Sequence, residues 1–186
     1  EVVAKIRARN ATGAQSPWVR SEVLTLFDTT PPSPVIDLTA SPNNSIDLTY
    51  TIRSTSGEMG DSWVADNLTN NLTGSAWASA PRATEHTAWV ILDLGDNPSP
   101  YWEVKIHPSS LYPNAFANAI QVSSSSTAVV WDTLASAHGL NGELPVDFRF
   151  ASTQNRYLKV DFQLETVQPG DRYYTVVSHI EIGGAP

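Results

Sequence analysis

Two stretches of the chain gather side chains that could hold a ligand. His107-Pro108-Ser109-Ser110-Leu111-Tyr112-Pro113-Asn114-Ala115-Phe116-Ala117-Asn118 places two aromatic rings and two asparagines between segments that read as strands. A flat ring can stack on the apolar face of a pyranose, and amides can bond its hydroxyls. Pro81-Arg82-Ala83-Thr84-Glu85-His86 adds a guanidinium, a carboxylate and an imidazole within five residues, and is expected to lie near the first stretch. Tyr112 or Phe116 would supply the stacking face, and Asn114, Arg82 and His86 the hydroxyl contacts, with Glu85 beside them. The competing expectation is that Tyr112 and Phe116 plug the open end of a sandwich. A third polar stretch is Gln168-Pro169-Gly170-Asp171-Arg172-Tyr173-Tyr174.

Catalysis has little to stand on. No serine sits in a Gly-x-Ser-x-Gly elbow, and His86, His107, His138 and His179 have no recognisable partner spacing. Carboxylate pairs can be drawn from Glu85, Asp93, Glu103 or Asp132, but 19 acids in 186 residues make such pairs uninformative. The chain is expected not to be an enzyme. It has no cysteine, which removes disulfides, thiol nucleophiles and cysteine-based zinc sites. A net charge of -8, with no run of Lys and Arg among aromatics, argues against nucleic acid. No apolar stretch approaches the roughly 18 residues of a membrane span. The chain starts without Met or a signal-peptide pattern, as a piece of something longer would.

Strands must position these residues. Trp89-Val90-Ile91-Leu92-Asp93-Leu94-Gly95 is apolar on both faces, as in the middle of a sandwich, and is stopped by a glycine. Asp93 within it needs donors, and reads as a structural group capping a neighbouring loop rather than a ligand contact. Alternation or β-rich composition marks further strands over 46–52, 102–107, 119–123, 129–134, 156–162 and 174–182, with Trp102, Val104 and Ile106 inward. Along 174–182, Val176, Ser178, Ile180 and Ile182 share a face. No stretch has a convincing 3.6-residue period, so the chain is expected to be all-β, with Trp77, Trp89, Trp131 and Ile106 in the core. Residues 2–9 and 21–27 alternate as a hairpin, and Pro31-Pro32-Ser33-Pro34 reads as a stiff spacer. The expected division is 1–30, a linker at 31–34, and a sandwich over 35–186.

Trp77, the polar segment before it with Ser75, the Trp89–Gly95 strand, Trp131 with Leu134 and Arg156-Tyr157-Leu158-Lys159 together resemble the discoidin or coagulation-factor type C domain. Bacterial galactose-type carbohydrate-binding modules belong to the same family. The resemblance covers about residues 45–184 and implies a galactose-binding-like jelly-roll β-sandwich. Ile6 to Asn10, Gly13 and Ser16-Pro17-Trp18 resemble the last hairpin of a fibronectin type III domain, here incomplete. Many discoidin-like domains hold a structural Ca²⁺ between the loop before the first Trp and the final strand. This chain offers Asn70 or Asp66, Ser75, and His179 where Glu is usual, so calcium is expected to be weak or missing, and no other cofactor is implied. Galactose readers also commonly place Arg after the Pro at the strand end and His after the first Trp. Here those places hold Ser109 and Ala78, although Asn114 fits.

The resemblance thus implies a non-catalytic, carbohydrate-binding module that attaches a larger secreted or virion (phage tail) protein to a cell-surface glycan. The alternative is a structural or decoration module of such an assembly, without sugar affinity. Other subunits or domains are the remaining partners, membrane insertion is not expected, and the setting is extracellular or the virion surface. The lack of cysteine leans towards a bacterial or phage source.

Overall fold

The computed structural model describes residues 46–185, apart from 71, 73, 165–167 and 169, and two short segments near the start of the chain. The chain divides into two compact units, Glu1–Ala40 and Ser41–Pro186. In the first, β1 (Lys5–Ile6) pairs antiparallel with β2 (Val19–Arg20), Lys5 facing Arg20 and Ile6 facing Val19. The remainder of the expected fibronectin-like hairpin, the strand at 21–27 and the spacer at 31–34 lie outside the described residues.

The second unit is an all-β sandwich. Its strands are β3 (Ile46–Asp47), β4 (Thr51–Thr55), β5 (Trp77–Ala78), β6 (His86–Asp93), β7 (Tyr101–Pro108), β8 (Ala119–Ser125), β9 (Asp132–His138), β10 (Val146–Thr153), β11 (Tyr157–Leu164) and β12 (Val176–Gly184). Among the described residues the helical content is one 3₁₀ turn, Ala65–Thr69, which buries Ala65 and Leu68 and whose first amide is bonded by Glu58 Oε1 at 2.7 Å. One sheet runs β10-β7-β12-β3, with β5 also on β12, and the other β4-β6-β11-β8-β9; every pairing is antiparallel.

The core follows from period-2 patterning, because alternate side chains of a strand share a face. Leu158, Val160, Phe162 and Leu164 of β11 meet Val104 and Ile106 of β7 and Ile180 and Ile182 of β12 between the sheets. Trp77 is fully buried, its ring 5.6 Å from that of Phe162, and Ile106 is fully buried too.

Three aromatic expectations need correction. Trp89 is only half-buried: Ala88, Val90 and Leu92 take the inner face of β6, while Trp89 lies outside, beneath the Lys159 ammonium at 5.9 Å. Trp131 is half-buried as well, because it precedes β9, which is an edge strand. Trp102 is the extra residue of a bulge: Glu103 faces Gly183 and Tyr101 faces Gly184, so Trp102 drops out of register. A bulge resets the alternation, and Tyr101 rather than Trp102 enters the core. A second shift in β12 turns Val177 inward beside Ile180 and leaves Ser178 half-buried. The strand Val146–Thr153 has no counterpart in the sequence reading. It pairs with β7 through Phe148 inside and the outward pairs Lys105–Asp147 (3.6 Å) and Arg149–Glu103 (3.0 Å).

These pairings bring four connections to one end of the sandwich: those before β6, between β7 and β8, between β9 and β10, and between β11 and β12.

Candidate functional site

The 109–118 loop begins where Pro108 ends β7 and is held by backbone bonds. The Tyr112 amide donates to Ser109 O at 3.1 Å and the Ala115 amide to Tyr112 O at 3.0 Å. Val176 N–H then donates to Ala115 O at 2.6 Å, and Asn118 N–H to Gln163 O at 3.0 Å. The two rings of this loop part company. Phe116 is 5% exposed and belongs to the core, so it is a plug and not a stacking face. Tyr112 is 45% exposed and stands edge-on to Trp63, with ring centroids 5.3 Å apart. Asn114 is exposed beside it.

Facing this loop is the 139–145 connection, which reaches it through a glycine. Gly142 has φ +73°, and a Cβ there would lie 2.1 Å from Pro113 O. Together with Leu72, Gly74 and Ser75 from the segment before Trp77, these loops enclose an open cleft of about 300 Å³. Pro108, Leu111 and Pro113 form one wall, Gly142, Glu143 and Pro145 another, and Ser178 and His179 also line it. Neither the 139–145 contribution nor that of Leu72, Gly74 and Ser75 to this cleft was legible beforehand, because both depend on strand pairing.

Arg82, Glu85 and His86 sit on the neighbouring connection. Arg82 and Tyr173 exchange backbone bonds at 3.1 and 2.8 Å, tying this stretch to the third polar loop. Ala78 and Ala115 flank β12 on opposite edges at Val176. β12 therefore lies between the strand that leads into the Arg82 stretch and the loop that carries Tyr112. Arg82 and Glu85 are exposed, and His86 is half-buried with Nδ1 3.2 Å from Thr84 O.

A further cluster lies on the outer face of β7 and β12, and both of its histidines also line the open cleft. His107 and His179 are cross-strand neighbours whose rings stack with centroids 3.8 Å apart. Their Nε2 atoms lie 3.2 and 3.1 Å from the same oxygen, Glu181 Oε1. Burial, and then the nearby His179, hold His107 below the usual histidine range. Burial works to raise the Glu181 carboxyl, but the hydrogen bond from His179 and the His107 charge outweigh it and leave it lowered. His179 and Glu181 are two residues apart on one strand; that His107 joins them follows only from the β7–β12 register.

The residues do not fit the calcium ion that the resemblance implied. Calcium takes six to eight oxygens, usually with carboxylates. Here the carbonyls of Leu68, before Trp77, and Ile180, on the final strand, both lie on the Tyr50 hydroxyl, at 2.6 and 2.8 Å. Burial pushes that phenol far up, so it keeps its proton for them. Asn70 Oδ1 accepts from Ser75 Oγ at 2.6 Å, and Asp66 is exposed. Asp93, by contrast, has the structural role expected: both its oxygens receive the Arg156 guanidinium at 2.8 Å, and Oδ1 accepts the Gly95 amide at 2.9 Å.

No protein-family model matches the sequence. No curated protein matches it either. Solved structures match in fold. CBM32-3 from a family 31 glycoside hydrolase of Clostridium perfringens has a TM-score of 0.65 at 14% identity, covering 76% of this chain and 95% of that one. The family 32 carbohydrate-binding module of C. perfringens NanJ, in complex with galactose, gives 0.62 at 12% identity, over 75% and 99% of the two chains. Chitosan-binding module 1 from a chitosanase/glucanase of Paenibacillus sp. IK-5 gives 0.59 at 20% identity, over 75% and 98%. At such identities the likeness is one of architecture: this chain has the discoidin-like β-sandwich fold of carbohydrate-binding modules.

Proposed function

We infer that the domain is a non-catalytic glycan-binding module whose site is built on the 109–118 loop. The observation that carries this is the Tyr112 ring, 45% exposed on a loop whose other ring is locked in the core. Trp63 braces it from the side, so little side-chain freedom is lost when a sugar stacks on it. Asn114 supplies an amide for hydroxyls, and the adjoining cleft accommodates substituents of the ring. Arg82, Glu85 and His86, on the connection across β12, suit the next residue of a longer glycan. The shared fold with modules solved on sugars supports the same reading.

A shallow, largely preformed site of this kind binds weakly, at about -4 to -5 kcal/mol, or roughly millimolar to a few hundred micromolar. Useful attachment then needs several copies acting together, which suits a module carried by a larger secreted or virion protein and directed at a cell surface. A glycan array followed by titration tests the reading. Tyr112→Ala is expected to weaken the best ligand at least tenfold while leaving the thermal midpoint within a few degrees. Binding that survives this change would move the site elsewhere. A chain that binds nothing on the array at high valency would instead be the structural module.

A further inference from the structure

We propose that His107, His179 and Glu181 form a binding site for one divalent transition-metal ion, of the class of Zn²⁺, on the outer face of β7 and β12. It does not rest on the glycan reading, although His107 and His179 also line the cleft beside the 109–118 loop, and His179 stands where the resemblance implies a calcium-ligating Glu.

Ser178 Oγ lies 3.0 Å from His107 O, 3.3 Å from Pro108 O and 3.2 Å from His179 Nδ1. Where its single hydrogen serves a carbonyl, an oxygen lone pair is left to accept from His179 Nδ1, the tautomer in which Nε2 can ligate an ion. The Nε2 of His179 lies 3.1 Å from Glu181 Oε1. His107 Nε2 is buried and, although 3.2 Å from the same oxygen, makes no properly directed hydrogen bond to it. Three donor atoms thus converge with all mutual separations within 4.8 Å and no directed bond to satisfy His107. A cation is the natural occupant.

The distances select its class. A tetrahedral ion with bonds of about 2.0–2.1 Å separates its ligand atoms by about 3.3 Å. The two nitrogen-to-oxygen edges here are 3.2 and 3.1 Å. Two imidazoles and one carboxylate suit zinc, cobalt, nickel or copper and disfavour calcium or magnesium. The Ser178 bond to His179 Nδ1 is the outer contact that usually orients a ligating histidine. Paired strands hold all three residues, so the ligands are largely placed in advance, although the stacked rings must tilt to share an ion. Lys105, opposite Glu181 in the register, carries an opposing charge, and its ammonium is engaged by Asp147 at 3.6 Å.

The test uses the full 186-residue chain without a histidine tag. Zn²⁺ titrated calorimetrically is expected to bind at one ion per chain in the micromolar range. Co²⁺ is expected to give the intense visible bands of a tetrahedral nitrogen–oxygen site, bleached by zinc and unaffected by excess Ca²⁺. H107Q, H179Q and E181Q should each weaken binding at least tenfold, while His138→Ala, on the other sheet, should leave it unchanged. Circular dichroism on each variant confirms the fold, and the cobalt spectrum of the unaltered chain does not depend on any variant folding. Absence of those bands, displacement by calcium, or unchanged titrations in H107Q and H179Q would overturn the proposal.

Discussion

Asp93 shows how a charge is kept inside an apolar strand. The Arg156 guanidinium meets both oxygens, Asp96 engages the same guanidinium, and Arg156 also lies over the Tyr157 ring at 5.0 Å. The hydrogen bond from Arg156, against the opposing effect of burial, holds the Asp93 carboxyl below its ordinary range. A carboxylate lowered in the folded state stabilises above its unfolded value, about 3.9, and that contribution is lost as the pH falls through the folded value. Asp93→Asn is therefore expected to lower Tm at pH 7, with the gap to the unaltered chain closing below about pH 4. A gap that persists undiminished at low pH would show that the charge is not the source. Gly142 is a residue whose type is forced by its backbone and its neighbours. Alanine there adds left-handed strain of roughly 1–2 kcal/mol, and its Cβ would sit 2.7 Å from Phe116 Cβ as well as against Pro113 O. Gly142→Ala is expected to lower Tm and displace the 109–118 loop, weakening whatever that loop binds; unchanged Tm in a melting experiment would contradict the close approach.

At the scale of elements, the bulges matter more than the strands. The β7 bulge at Trp102 exchanges that side chain for Tyr101, whose hydroxyl then reaches Asn155 O at 3.0 Å. The three tryptophans expected in the core therefore differ in weight. Trp77, fully buried against Phe162, is expected to cost about 3–5 kcal/mol on truncation to alanine. Trp131, half-buried before an edge strand, is expected to cost less than half of that, and Trp89, covered on one side by Lys159, to fall between. Urea unfolding of the three variants gives the ranking directly, and equal losses at Trp77 and Trp131 would refute it. Edge strand β10 went unread because Asp147, Arg149 and neighbouring polar residues hide a short alternation of which only Phe148 is deeply buried.

At the scale of the whole molecule, charge sets which partners are admitted. The chain carries -8, and several of its basic side chains are already committed: Lys105 to Asp147, Arg149 to Glu103, Arg156 to Asp93, and Lys159 to Asp161 at 2.7 Å. Phosphate polymers and anionic lipid surfaces need unpaired basic clusters. Neither heparin resin nor anionic vesicles are expected to retain the chain at about 0.15 M salt, where screening reaches within roughly 8 Å. Retention that falls with salt would reveal a basic surface outside those pairs.

Much of this architecture was present in the amino-acid order. Alternation marked most strands, glycine and proline their ends, and the tryptophan-to-strand motifs the sandwich that the solved structures share. Asp93 could be read as structural because its apolar neighbours demanded a partner. What the order of residues did not contain was parity across the sheets. One inserted residue at Trp102 or between Val177 and His179 reverses which side chains face inward, and nothing local announces it. The same is true of contacts made by pairing: Tyr112 was equivalent to Phe116 until the fold buried one, and His107 met His179 only once β7 and β12 were in register. Local pattern determines which segments become strands, because backbone and side-chain periodicity act within a few residues. The site depends on which strands lie side by side and in what register, and that is decided by burial summed over the whole core.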